Sequence, residues 1–334
     1  MATIKDVAKL AGVSTSTVSH VLNRTRFVSE SRRKLVEDAV RELNYRPSSI
    51  ARSLKIQRTK TFGMLVTASR NPFFAEVVHG VERRCYEQGY TLFLSNTEGD
   101  VKRMETSLDA LEEKRVDGLL LLCAEVNDDI IRLLEAERSV PIVVFDWGPE
   151  SDNVDRIYDN SSHGGYLATK YLIDNGHTDI GCIYGPIERR SSRERVDGYH
   201  KAMEEAGLPV RSEWMIAGDY DCEGGVQAMV QYAAMDKRPT AVFATNDMMA
   251  LGVLSEAGRQ GIRIPDDLSV IGYDDIYLVR YAAPPLTTVK QPKTELAAKA
   301  VDTLIEHLDS KRTKGKMIIV QPQLMERESV KKLG

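Results

Sequence analysis

Cysteine is scarce in this chain of 334 residues: there are four, Cys85, Cys123, Cys182 and Cys222, and no two stand in a CxxC pair. That spacing excludes a disulfide framework and a cysteine-ligated zinc site, and it leaves the four as reduced thiols of a core. Long apolar runs are missing as well. The longest, Leu119 to Ala124, falls far short of the roughly 20 residues needed to cross a bilayer. The first residues, Met-Ala-Thr-Ile-Lys-Asp, lack the apolar stretch of a secretory signal, so a cytoplasmic protein with no membrane partner is expected. None of the patterns GxSxG, HExxH, Walker A or GxGxxG occurs, and the six histidines are scattered. Without a phosphate cradle, a serine elbow or a zinc signature, no enzyme, no cofactor and no metal is expected.

What is present is the composition of a globular protein, with 42% hydrophobic and 28% charged residues. The length exceeds one ordinary core and calls for several folding units. A net charge of −4 hides a division along the chain. Residues 1 to 60 carry 13 Lys and Arg against 5 Asp and Glu, a net of +8, while the rest holds 32 basic against 44 acidic residues, a net of −12. Only the first segment suits a polyanion.

That basic segment reads as three short helices. Thr3 caps a first, Ile4 to Leu10, with Val7, Ala8 and Leu10 as apolar anchors, and Gly12 turns the chain with a positive φ. Ser14 caps a second, Thr15 to Leu22, with Val18 and Leu22 inward and Thr15, Ser16, Thr17 and His20 outward. A third, about Ser31 to Leu43, lines up Leu35, Val36, Ala39, Val40 and Leu43. Two small helices joined by a glycine turn make a helix-turn-helix, whose second helix enters the major groove of double-stranded DNA. Small hydroxyls at its start allow close approach to base edges. The stretch Tyr45 to Lys55 follows as a linker, too short for a stable isolated helix and able to become one when bound.

Beyond Thr61 short strands alternate with amphipathic helices. The strands predicted are Phe62 to Val66, Thr91 to Leu94, Gly118 to Leu122, Ile142 to Phe145, Ile180 to Tyr184, Ala241 to Ala244 and Leu268 to Tyr273. Between them fall helices at Ala75 to Gln88, Met104 to Lys114, Gly165 to Asn175, Glu194 to Ala206, Met248 to Gln260 and Thr294 to Leu308. Repeated βα units of this kind imply parallel sheets covered by helices, with function at the carboxyl ends of the strands. Those ends carry Asn71-Pro72-Phe73-Phe74, Asp146-Trp147, Arg193-Glu194-Arg195, Asn246-Asp247 and Asp274-Asp275. Singly each has a plainer role, as a hydrophobic staple or a helix cap. Together they offer ring faces, carboxylates, amides and guanidiniums to a small polar ring ligand.

The run Ile4-Lys5-Asp6-Val7-Ala8-Lys9-Leu10-Ala11-Gly12-Val13-Ser14, with Thr17-Val18-Ser19 and Val21-Leu22-Asn23, closely resembles the DNA-binding signature of the lactose-repressor (LacI) family. Arg46-Pro47-Ser48-Ser49-Ile50-Ala51-Arg52-Ser53-Leu54 is similar to its hinge helix, and Asn246 to Gly252 and Ile271 to Asp275 to its ligand-binding core. The resemblance covers essentially the whole chain. It implies an all-α helix-turn-helix domain over 1 to 46, a hinge over 47 to 60 and a periplasmic-binding-protein-like α/β core over 61 to 334. That core would hold two parallel-sheet subdomains joined by three crossovers, one of about 61 to 160 and 292 to 320, the other of about 161 to 291 and 321 to 334. It also implies DNA contacts at Thr15, Ser16 and Arg26, hinge contacts at Ser48, Leu54 and Lys55, and ligand contacts at Asn71, Phe73, Phe74, Asp146, Arg195, Tyr220, Asn246, Asp274 and Gln291, with Trp147 beside them.

Within the family the likeness runs first to repressors of ribose operons and next to purine repressors. The expectation is therefore a repressor that binds palindromic operator DNA as a homodimer and is released by D-ribose or a related sugar, controlling ribose uptake and catabolism. The alternative is a repressor with hypoxanthine or guanine as co-repressor. The last residues, Met325 to Val330, show no leucine heptad seam, which favours a dimer over a tetramer.

Overall fold

The computed structural model describes residues 2–23, 25–45, 58–67, 71–122, 129, 132, 140–145, 154–310 and 314–333. The chain divides into two compact units, Met1–Thr59 and Lys60–Gly334.

In the first unit α1 spans Ile4–Leu10, α2 Thr15–Asn23 and α3 Glu30–Glu42. Thr3 and Asp6 form a reciprocal capping box at the start of α1. The Ser14 hydroxyl accepts from the Thr17 backbone N–H at 3.1 Å and so caps α2. Val7, Ala8, Ala11, Val18, Val21, Val36 and Ala39 make the core. Three expected anchors differ: Leu10 and Leu35 lie 47% and 53% exposed, and Val21 is buried more fully than Leu22. Leu35 sits about 100° around the helix from Val36 and so leaves the stripe that Val36, Ala39, Val40 and Leu43 share. Gly12 has φ +61°, and a Cβ there would meet nothing within 4 Å. Gly12→Ala therefore pays only for the left-handed backbone, about 1 to 2 kcal/mol. Denaturation of the full chain should show an earlier transition for the first unit and an unmoved one for the second.

The second unit is built on two six-stranded sheets. The first takes β1 (Thr61–Val66), β2 (Thr91–Asn96), β3 (Gly118–Leu122), β4 (Ile142–Phe145), β5 (Asp155–Asp159) and β11 (Met317–Val320), in the order β11-β5-β4-β3-β1-β2. The second takes β6 (Ile180–Tyr184), β7 (Met215–Ala217), β8 (Ala241–Ala244), β9 (Ser269–Asp274), β10 (Thr287–Lys290) and β12 (Gln323–Met325), in the order β12-β10-β9-β8-β6-β7. Every pairing is parallel except that of β12 with β10. The chain passes between the sheets after β5, after β10 and after β11. Strands β3, β4, β8 and β9 are buried throughout, as strands covered on both faces must be, and the first three read as continuous apolar runs, while β9 carries buried Ser269 and Asp274 at its ends.

Around the sheets lie α4 (Pro72–Glu87), α5 (Val101–Glu113), α6 (Ser161–Asp174), α7 (Arg190–Glu205), α8 (Cys222–Ala233), α9 (Asp247–Arg259) and α10 (Lys293–Ser310). Two helix pairs touch backbone to backbone. A Cβ on Gly165 of α6 would lie 2.1 Å from the Arg195 carbonyl oxygen of α7, and one on Gly225 of α8 would lie 1.9 Å from the Met249 carbonyl oxygen of α9. Among the described residues no helix is long and apolar enough to cross a membrane, and no group of side chains could hold a metal ion.

Candidate functional site

The carboxyl ends of both sheets face one cleft, the usual place for a ligand in open parallel sheets. The first sheet supplies Leu122 and Phe145 from its strand ends and Asn71, Phe73 and Phe74 from the start of α4. The second supplies Arg189, Arg190, Ser191 and Arg195 at the start of α7, with Tyr220, Asn246, Asp274 and Gln291. Eight residues named from the sequence thus meet here: Asn71, Phe73, Phe74, Arg195, Tyr220, Asn246, Asp274 and Gln291. Asp146 and Trp147 lie outside the described residues, as do Ser48, Leu54 and Lys55 of the hinge.

Local structure explains several placements. Asn71 is the N-cap of α4, its Oδ1 accepting from the Phe73 N–H at 2.9 Å, with Pro72 pre-set for the first helical turn. The cap turns Phe73 and Phe74 into an edge-to-face pair with centroids 5.5 Å apart. Asn246 caps α9 by accepting from the Met249 N–H at 2.9 Å, and its amide donates to the Tyr220 carbonyl at 2.9 Å. Much of its hydrogen-bonding capacity therefore holds the cleft together. Tyr220 has φ +69°, and its ring lies so close over Gly185 that a Cβ there would fall 2.3 Å from it. Only glycine at 185 leaves room for that ring.

Charge in the cleft centres on Arg195 and Asp274, both buried, with nitrogen and oxygen 3.5 Å apart. The Arg195 guanidinium lies 3.8 Å over the Tyr273 ring and donates to the Thr245 carbonyl at 2.6 Å. Burial opposes its charge, but the facing Tyr220 and Asp274 groups outweigh burial and hold its pKa above the ordinary value. Asp274 accepts from the Gln291 amide at 2.7 Å. Burial pushes its carboxyl up to about 6, against the pull of Arg195 and of the Gln291 hydrogen bond. Behind it Asp247, wholly buried, is raised further by burial and by the charge of Asp274. Among the described residues, the buried Arg195 Nε and Gln291 Oε1 of the cleft have no hydrogen-bond partner. A ligand with one acceptor and one donor completes them.

Five lining residues were missed in the sequence. Leu122 and Phe145 looked like plain core strand residues. Arg189, Arg190 and Ser191 open α7 directly after β6, and the strand-end rule applied four residues earlier would have found them. Of the neighbouring run, Arg193 instead donates to the Ile187 and Glu188 carbonyls, and Glu194 pairs with Arg190.

In the first unit, Thr15, Ser16 and Arg26 are exposed, while Thr17 and His20 are half-buried. Ser14 Oγ engages Ser16 Oγ at 2.7 Å and Thr17 Oγ1 at 2.9 Å. His20 Nδ1 turns back to the Thr25 hydroxyl at 2.8 Å, so this histidine is partly committed to the turn.

Residues 3–48 match the model of bacterial regulatory proteins of the lacI family, and residues 169–330 match a periplasmic binding protein-like domain. An HTH-type transcriptional repressor PurR of Photobacterium profundum is 54% identical over 334 residues, covering 100% of each chain. Among solved structures, the lac repressor dimer bound to operator and the anti-inducer ONPF is 29% identical, covers 99% of each chain and superposes with a TM-score of 0.87. A LacI family regulator from Enterococcus faecium with bound ribose is 27% identical, covering 82% of this chain and 100% of its own, at a TM-score of 0.74. The first likeness drawn from the sequence, to ribose operon repressors, is corrected here: relatives at half identity or better along the full length carry the name PurR. These relatives are repressors and not enzymes. With its helix-turn-helix unit, its two-sheet core and its full-length similarity to repressors, this chain belongs to the lacI family of bacterial regulatory proteins, as a ligand-responsive transcriptional repressor.

Proposed function

We propose that this repressor answers to a 6-oxopurine, hypoxanthine or guanine, which acts as co-repressor. The observation that carries the reading is the donor-rich rim of the cleft: among the described lining residues stand three guanidiniums, Arg189, Arg195 and an Arg190 that is paired with Glu194, against one carboxylate, Asp274. A 6-oxopurine presents several ring and carbonyl acceptors in one plane, and arginine pairs with its O6 and N7 edge in two-pronged fashion. Phe73, Phe74 and Tyr220 supply ring faces for the flat heterocycle. A ribose, whose hydroxyls each donate and accept, makes less use of three cations. The name shared by the full-length relatives agrees with a purine.

Walls from both sheets let a bound ligand favour one arrangement of the core, and an effector acts only through such differential affinity. The lac repressor dimer is found bound to operator and an anti-inducer together, a precedent for co-repression here. On DNA we assign base contacts to Thr15, Ser16 and Arg26, with Thr17 and His20 in support, and hinge contacts to Ser48, Leu54 and Lys55. One recognition helix reads too few base pairs to select a site, so the working unit is a homodimer on a palindrome in the cytoplasm. Exposed Tyr86, Leu94, Tyr277, Leu278 and Tyr281 offer apolar surface for that pairing.

Calorimetry with hypoxanthine, guanine and ribose tests the ligand: heat with a purine and none with ribose is expected, and the reverse overturns the reading. Palindromes selected from random duplexes in the presence of hypoxanthine then test the sign. Operator affinity should rise at least fivefold with the purine, the low end of ordinary coupling; a fall would make it an inducer.

A further inference from the structure

Outside the cleft's lining, the ammonium of Lys293 at the start of α10 is held on three sides. It donates to the Asp274 carbonyl at 2.9 Å and the Asp275 carbonyl at 2.7 Å, and it pairs with Glu76 Oε2 of α4 at 3.0 Å. An ammonium has three N–H groups, so this one is fully used. The other oxygen of Glu76 accepts from the Tyr277 backbone N–H at 2.8 Å. Glu76 and Lys293 belong to helices packed on the first sheet, whereas Asp274 ends β9 of the second and Asp275 and Tyr277 follow it. The two carbonyls come from successive residues at φ +111° and +50°, a backbone that L side chains rarely adopt. Strained backbone persists only where its surroundings over-determine it. That turn is what aims the Asp274 carboxylate into the cleft, and Glu76 lies one helical turn beyond Phe73, which lines the opposite wall.

We propose that Glu76 and Lys293 are positioning residues for the effector site: they touch no ligand, yet they fix the Asp274 turn and clasp the two sheets together across the cleft. The consequence for effector affinity rests on the purine reading above; the hold on the turn does not. Glu76→Gln keeps the size of the side chain but has one oxygen for two donors: with that oxygen accepting from the Tyr277 N–H, the amide NH2, itself a donor, faces Lys293 in place of a carboxylate oxygen. Lys293 then keeps only its carbonyls, and the clasp from α4 loses its charge.

Two measurements on the full-length protein decide the matter. In the absence of any ligand, hydrogen exchange at the amides of residues 274 to 277 should quicken about tenfold in Glu76→Gln, with the thermal midpoint of the core little changed. Calorimetry with hypoxanthine should show affinity about tenfold weaker, within the range of coupling between residues joined in one network. Placed in an Asp274→Asn background the same substitution should cost much less, since its effect runs through the carboxylate it positions. Unaltered exchange at 274 to 277 overturns the positioning role whether or not purines bind. Quickened exchange with unaltered hypoxanthine affinity, or an equal loss in both backgrounds, overturns the link to the effector. If the parent protein binds ribose and no purine, the purine reading fails while the exchange experiment still judges the clasp.

Discussion

Asp274→Asn is expected to weaken purine binding about 10- to 100-fold and to leave the fold at least as stable as before. A hydrogen bond to an ionised partner is worth roughly 1.5 to 3 kcal/mol, and the asparagine has no charge to give. Gln291 would keep an oxygen to donate to, and Arg195 would keep the Thr245 carbonyl and the Tyr273 ring, so the surroundings survive the change. The sign on stability follows from the carboxyl being pushed up to about 6 by burial. An acid held more tightly protonated in the folded state stabilises that state below its unfolded value, and the contribution is lost as pH rises through about 6. At neutral pH the buried carboxylate is therefore a cost, which asparagine removes. Binding has the opposite dependence: affinity in the parent should fall on acidification below about 6, while that of the variant stays flat. Calorimetry across pH 5 to 8 reads both, and a parent profile without an acid limb removes the ionised carboxylate from recognition.

Gly165→Ala should destabilise the core by about 3 kcal/mol or more, the upper end of what overpacking costs. The added methyl would sit 2.1 Å from the Arg195 carbonyl oxygen, and the facing contact is as tight, since a Cβ on Gly198 would lie 2.1 Å from the Ser162 carbonyl oxygen. Both neighbours are backbone, so relief requires α6 and α7 to separate. Separation displaces Arg195, which α7 carries into the cleft, and effector affinity should fall with stability. Gly258→Ala in α9 is the contrasting control. A Cβ there meets nothing within 4 Å, and the gain from removing a helical glycine is about 0.5 to 1 kcal/mol. Urea denaturation of both variants checks the pair; a change under about 0.5 kcal/mol for Gly165→Ala would show that the helices yield.

Some of the molecule is legible residue by residue. The capping signals at Thr3 and Ser14 and the glycine turn between them act within one or two helical turns, so α1 and α2 follow from their own residues. Strands β3, β4 and β8, covered on both faces, must be apolar at every position, and their runs mark them out. Edge and short strands give no such signal. Asp155–Asp159 is too polar to read as a strand, and it is one because β4 and β11 flank it. Helix α8 was overlooked for a related reason: Gly224 and Gly225 count against a helix locally, but the glycine at 225 is what admits the α9 backbone.

Effector chemistry stood between these cases. Aromatic rings and polar groups at strand ends suit a sugar and a purine alike, and the sequence favoured ribose. What weighed the other way was the guanidinium pair Arg189 and Arg190, unremarked beside Arg193, together with the full-length similarity to PurR repressors.

By itself, then, the sequence determined what short-range physics determines: a basic helix-turn-helix unit, the alternation of buried strands with helices, and the strand ends as the place for a ligand. Only the tertiary structure decided which side chains from distant segments converge there. Leu122, Phe145, Arg189 and Arg190 join the cleft, Arg193 turns away to backbone carbonyls, and Glu76 meets Lys293 and the Asp274 turn across more than two hundred residues. The physical reason is that a side chain's role at such a place depends on partners brought close by the packing of two sheets, and no local pattern encodes them.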